Sequence, residues 1–142
     1  MGLEHFSYAI ALGFSAFGSA TGVHAAGLAA IGAWKKCFVQ NRPAPFLLVA
    51  FVGAPLSQTI YGMILMNGIL TAQNTDPLAK LATGIFGGAA IGFSAYFQGR
   101  IGASCSDALA ETGKGFGNYI MAIGIIETVA LFVMVFLLGT LK

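Results

Sequence analysis

Polar positions along this chain are sparse and clustered. Between the clusters run four apolar stretches, at 5–33, 45–72, 78–104 and 115–141. Each exceeds the roughly 20 residues that carry an α-helix across a bilayer. In hydrocarbon only helices and closed barrels pair all their backbone groups, and barrel strands alternate apolar with polar positions. No such alternation occurs here. The pattern predicts an all-α membrane protein of four transmembrane helices, paired as two hairpins at 1–73 and 74–142.

Composition agrees: 57% of the residues are hydrophobic and 8% charged, with a mean hydropathy of +0.83. A water-soluble domain carries about a quarter charged residues. The net charge of +2, spread over helix ends, implies no nucleic-acid partner. The first apolar stretch is too long for a signal-peptide core and Met1-Gly2-Leu3-Glu4 lacks a basic leader, so no cleavage is expected. Phe6 stands where a myristoylation motif needs Ser or Thr.

Basic residues orient the chain. Lys35, Lys36 and Arg42 fall in the first loop and Lys114 in the third, with Arg100 one to two turns inside the third helix. Lys80 and Lys142 fall on the opposite side. The positive-inside rule then predicts loops 1–2 and 3–4 in the cytoplasm and both termini outside, in the plasma membrane. Trp34 beside the lysines reads as an interfacial anchor. Cys37 and Cys105, at helix ends on one side, read as free thiols rather than a disulfide. His24, among Ala and Gly, reads as a packing or interface residue.

The halves resemble each other. Ala11-Leu12-Gly13-Phe14-Ser15-Ala16 returns as Ala90-Ile91-Gly92-Phe93-Ser94-Ala95, and Ser57-Gln58-Thr59-Ile60 stands where Ile126-Glu127-Thr128-Val129 stands. This predicts a duplicated hairpin with both copies in the same orientation. The odd helices are rich in glycine, with Gly13, Gly18, Gly22, Gly27 and Gly32 in the first and Gly84, Gly88, Gly92 and Gly99 among those of the third. Small residues at four-residue spacing let helix backbones approach closely. They suit a crowded inner circle of helices, with the bulkier second and fourth helices outside.

One acid breaks the apolar pattern. Glu4, Asp76, Asp107 and Glu111 fall in termini or loops, but Glu127 stands near the centre of the fourth helix. An ionised carboxylate at that depth costs at least about 2.5 to 3.5 kcal/mol. No Lys or Arg is expected at its level, so its partner is a proton or a mobile cation. A turn near Thr112-Gly113 sets Gln98 level with Glu127, and Gln58 is its repeat equivalent. Ser57 and Tyr61, four apart, share a face beside Gln58. Pro55 has no N–H to donate and so frees a carbonyl near Ala54. Oxygens from Glu127, Gln58, Gln98, Ser57 and the Ala54 carbonyl make a set of the kind hard cations take. Tyr61 is placed to donate its hydroxyl to Glu127. Singly, such polar residues are helix–helix glue; convergence on one acid favours a cation site.

These features resemble the duplicated-hairpin proteolipid (K or c) subunit of V-type rotary ATPases. The anchors are Pro55-Leu56-Ser57-Gln58-Thr59-Ile60-Tyr61-Gly62, Phe97-Gln98-Gly99-Arg100 and Ile126-Glu127-Thr128. The closer likeness is to the bacterial sodium-translocating form, with one working carboxylate in helix four and a Gln at its duplicate in helix two. The resemblance implies Na⁺ as the carried ion, held by Glu127, Gln58, Gln98, Ser57 and the Ala54 carbonyl, with Tyr61, Pro55 and Thr128 in support. Ser57 departs from the family's usual Thr but keeps the hydroxyl. The partners implied are identical subunits in a ring, a stator subunit whose arginine passes that ring, and a central stalk at the cytoplasmic loops. ATP chemistry would lie in other subunits: no GxxxxGK[ST] phosphate loop occurs here. Two other readings compete. One is the same rotor carrying H⁺. The other is a small four-helix multidrug/proton antiporter, which would want its acid in the first helix and show no duplicated hairpin.

Overall fold

The computed structural model describes residues 2–142, without the side chains of Leu3 and Glu4, so the readings of Met1 and the Glu4 carboxylate lie outside the described residues. Four helices long and apolar enough to cross a membrane follow in order: α1 (Ser7–Val39), α2 (Leu48–Thr71), α3 (Pro77–Thr112) and α4 (Phe116–Leu138). The described residues contain no strand. Two helices are locally rewound. A 3₁₀ turn at Ala54–Leu56 interrupts α2, and a π-turn at Thr83–Gly87 interrupts α3.

Local chemistry sets the ends. Asp76 caps α3 by accepting the Leu78 and Ala79 N–H groups at 2.9 and 3.1 Å, and Pro77 follows at the first helical position. There its missing N–H costs nothing. At the other end Gly113 turns left-handed (φ 66°) and donates its N–H to the Leu109 carbonyl at 2.8 Å. Gly115 (φ 90°) completes the reversal into α4. Side-chain-bearing residues resist these angles, so two glycines make the turn this short. Helix α1 closes with Asn41 left-handed (φ 51°) and the Arg42 N–H donating to the Cys37 carbonyl at 2.9 Å.

The helices outrun their apolar stretches. Helix α1 continues through Lys35 and Lys36 to Val39, and α3 continues through Asp107 and Glu111 to Thr112. Residues expected in loops are therefore helical. Helical propensity of Lys and Glu carries the backbone beyond the point where hydrophobicity stops. The extensions meet one another: Lys36 Nζ lies 3.7 Å from Glu111 Oε2, and Arg42 donates to the Glu111 carbonyl at 3.3 Å. Trp34, expected to anchor at the interface, donates its ring N–H to the Pro45 carbonyl at 2.7 Å and so pins the α1–α2 loop. Cys37 and Cys105 are free and buried.

Packing is tightest between α1 and α3. A Cβ on Gly18, Gly92 or Gly99 would fall on backbone atoms of the facing helix, and one on Gly84 would fall on the Ser7 carbonyl. Backbone therefore touches backbone along most of this seam, as small-residue spacing allows. Gly13 and Gly32 differ, with nothing within 4 Å. Helices α2 and α4 flank the seam. One buried cluster joins Ala30, Leu48, Phe51, Leu109 and Ile123; a second joins Ala11, Leu65, Ile91, Ala130 and Met134. Each draws on all four helices, so the two hairpins share one core.

Candidate ion-binding site

Glu127 stands midway along α4, roughly 16 Å from either end at 1.5 Å per residue. Its side chain is half-buried. Tyr61 donates its hydroxyl to Glu127 Oε1 at 2.7 Å, and Gln98 Nε2 reaches Glu127 Oε2 at 3.3 Å. The same Gln98 nitrogen donates to the Ile123 carbonyl at 3.0 Å, one turn before the acid. Gln58 Nε2 donates to Gln98 Oε1 at 2.9 Å. Ser57 Oγ lies 3.1 Å from both Gln58 Oε1 and the Ala54 carbonyl. These contacts form one chain: Ala54, Ser57, Gln58, Gln98, Glu127, Tyr61.

The backbone explains the convergence. Buried Pro55 cannot donate an N–H, and the helix tightens there into its 3₁₀ turn. The Ala54 carbonyl then accepts both the N–H and the hydroxyl of Ser57. Gln58 follows on the buried face and Tyr61 one turn further. Gln98 reaches across from α3 because the Gly113–Gly115 turn sets α3 and α4 in antiparallel register. Ser94, one turn before Gln98, ties that register by donating to the Ile126 carbonyl at 2.8 Å. Gln58 and Gln98 are both 0% exposed, so the bond between them is shielded from bulk solvent.

The structure sets Thr128 apart from these contacts and corrects the depth of Arg100. Thr128, expected to support the site, is exposed and returns its hydroxyl to the Ile125 carbonyl at 2.6 Å. One residue is about 100° of helix, which turns it off the face that Glu127 uses. Arg100 lies deeper than one to two turns inside α3, because α3 continues to Thr112. It is only two residues beyond Gln98, so a basic residue does stand near the carboxylate's level. Two residues are about 200° of helix, so Arg100 points away from Gln98. It is exposed, lies over the Tyr96 ring at 5.8 Å and donates to the Tyr96 hydroxyl at 3.4 Å. His24 is likewise exposed on α1.

Among the described residues no three His, Cys, Asp or Glu side chains cluster as metal ligands, and no basic side chain pairs with Glu127. The polar centre is one carboxylate, two amides, two hydroxyls and a backbone carbonyl. Amide, hydroxyl and carboxylate oxygens suit a hard cation, and thiolate or imidazole metals have nothing to hold here. One neighbour escaped the sequence reading. Ser19 on α1 is 2% exposed, and its hydroxyl has no hydrogen-bond partner.

Four apolar helices joined by a polar chain around a mid-helix carboxylate define a multi-pass membrane protein with, among the described residues, one carboxylate at its polar centre. Residues 81–138, most of the second hairpin and the part that carries Gln98 and Glu127, match the family model of the ATP synthase C subunit. The match covers less than half of the chain. No curated protein matches it.

Proposed function

We propose that the chain is a rotor-ring subunit of a V-type rotary ATPase and that Glu127 carries Na⁺ across the membrane as the ring turns. The observation that carries this reading is the carboxylate midway along α4, whose partners are neutral donors from α2 and α3. A fixed basic partner would hold the charge permanently; Tyr61 and Gln98 leave it free to be neutralised by a passenger. Four further oxygens, of Ala54, Ser57, Gln58 and Gln98, lie in the same chain of contacts and supply ligands that a proton does not need. The likeness of the second hairpin to the ATP synthase C subunit supports a rotor over a drug/proton antiporter.

A ring of identical copies fits the surface. Gly13 and Gly32 leave open space beside α1, and Phe14, Phe17, Phe93 and Phe132 are exposed. The first hairpin enters as a duplicate whose working acid is replaced by Gln58. In the ring, a loaded Glu127 is neutral and crosses lipid without the cost of a bare charge. It gives up its ion beside the stator arginine and reloads from the other side. The α1–α2 and α3–α4 loops face the cytoplasm and meet the central stalk; ATP is turned over in other subunits.

The test is carbodiimide labelling of Glu127 in membranes, since the reagent attacks the protonated acid. Sodium at millimolar concentration should protect Glu127, and more strongly at higher pH, where fewer protons compete. Lack of protection at any sodium concentration, with labelling still lost on Glu127→Gln, would reject Na⁺ in favour of the proton-carrying rotor.

A further inference from the structure

We infer that Ser19 is a positioning residue of the ion site, accepting a Gln58 N–H once the cation is bound; this rests on the sodium-carrier reading above. The register between α1 and α2 places it. A Cβ on Gly62 would meet the Ser15 side chain, and a Cβ on Gly22 would lie 2.9 Å from Pro55 Cβ. The two helices are antiparallel. Ser19 is four residues after Ser15 and three before Gly22; Gln58 is four before Gly62 and three after Pro55. Ser19 and Gln58 therefore lie opposite each other, on the helix faces in contact.

The Ser19 hydroxyl does not behave as serines in helices ordinarily do. Ser15, one turn earlier, returns its hydroxyl to the Ala11 carbonyl at 2.8 Å. Ser19 makes no such bond, although it is as buried as its neighbours. Leaving a buried hydroxyl unmatched is unfavourable, so an unmatched one beside a polar network marks a partner missing from this arrangement.

The amides identify that partner. Gln98 now turns its nitrogen to Glu127 and its oxygen to Gln58 Nε2. A cation between Glu127 and Gln98 needs the Gln98 oxygen instead, so the amide must turn over. Its nitrogen then meets Gln58 Nε2, donor against donor. Gln58 turns in response and presents its oxygen to Gln98 and the cation. Its own two N–H groups, on a fully buried side chain, then need two acceptors. Ser57 Oγ is one, although it also faces the cation. Ser19 Oγ, on the opposing helix and unpartnered, is the other.

The experiment compares the unaltered protein with Ser19→Ala in membranes, using sodium chloride and carbodiimide labelling of Glu127. Ser19→Ala removes an acceptor that only the loaded site uses. It should raise the sodium concentration for half-protection about ten-fold, as loss of one buried hydrogen bond would. Thermal stability without sodium should not fall, because the hydroxyl bonds nothing in that state. Ser19→Cys keeps the volume but offers only a weakly accepting sulfur, so it should shift the midpoint in the same direction. Ser19→Thr, which retains the hydroxyl, should restore sodium protection towards that of the unaltered protein. Equal midpoints in the parent and both Ala and Cys variants would overturn the role of Ser19 and leave the carrier reading standing. A parent that sodium never protects would overturn both.

Discussion

The seam between α1 and α3 invites a direct perturbation, Gly99→Ala. A methyl at Gly99 would fall on the Gly22 backbone, where no flexible side chain can yield. Carbon in ordinary contact keeps about 3.5 Å or more, so the helices must part by roughly 1 Å. A gap of that size forfeits about a quarter to a half of each contact along the seam. Overpacking of this kind costs about 1–3 kcal/mol, against about 1 kcal/mol that Ala gains over Gly in a helix. The variant should therefore be destabilised. The displacement also reaches the site, because Gln98 is the adjacent residue. Its amide, 3.3 Å from Glu127 Oε2 and 2.9 Å from Gln58, would be carried away from the carboxylate with which it is to share the cation. Two assays follow: thermal unfolding of the purified assembly in detergent, and sodium protection of Glu127 from carbodiimide. Gly117→Ala is the control, since a Cβ there meets nothing within 4 Å. The expected result is a lower unfolding temperature and weaker protection for Gly99→Ala alone. Equal behaviour of the two variants would refute the backbone contact.

Two further predictions probe the site and its frame. Tyr61→Phe removes a 2.7 Å hydrogen bond to the carboxylate, of a kind worth about 1.5–3 kcal/mol. At fixed pH and sodium, carbodiimide should label this variant faster; an unchanged rate would show that the tyrosine does not hold the ionised form. Asp76→Ala removes the cap of α3 and should cost about 0.5–2 kcal/mol in chemical denaturation while sodium protection is kept. A matching loss of protection would show that the helix start and the site are coupled.

The four helices were legible because lipid imposes a simple rule, long apolar runs, on every span. Their ends were not. At Lys35 and at Asp107 the hydrophobic signal stops, yet nothing in the backbone requires the helix to stop there. That error also misjudged the depth of Arg100. The polar positions at the centre could be picked out by type, since Gln58, Gln98 and Glu127 each interrupt an apolar helix. Position 128 shows the limit: adjacency in sequence is not adjacency on a helix face. Ser19 left no mark at all, because a serine in a glycine-rich helix looks like packing. Only the register of α1 against α2, written in where Gly62 and Gly22 make contact, brings it to the amides. The π-turn in α3 had no signal among Thr83, Gly84 and Gly87.

Contact between main chains has a mechanical side. Long side chains between two helices act as a cushion, changing rotamer as the helices slide. Along Gly18, Gly92 and Gly99 there is no cushion, so any shear between α1 and α3 meets hard repulsion at once. Whatever load reaches this molecule passes through that wall almost undeformed. The compliance lies instead with α2 and α4, whose Leu, Met and Phe side chains can rearrange and which also hold Tyr61 and Glu127.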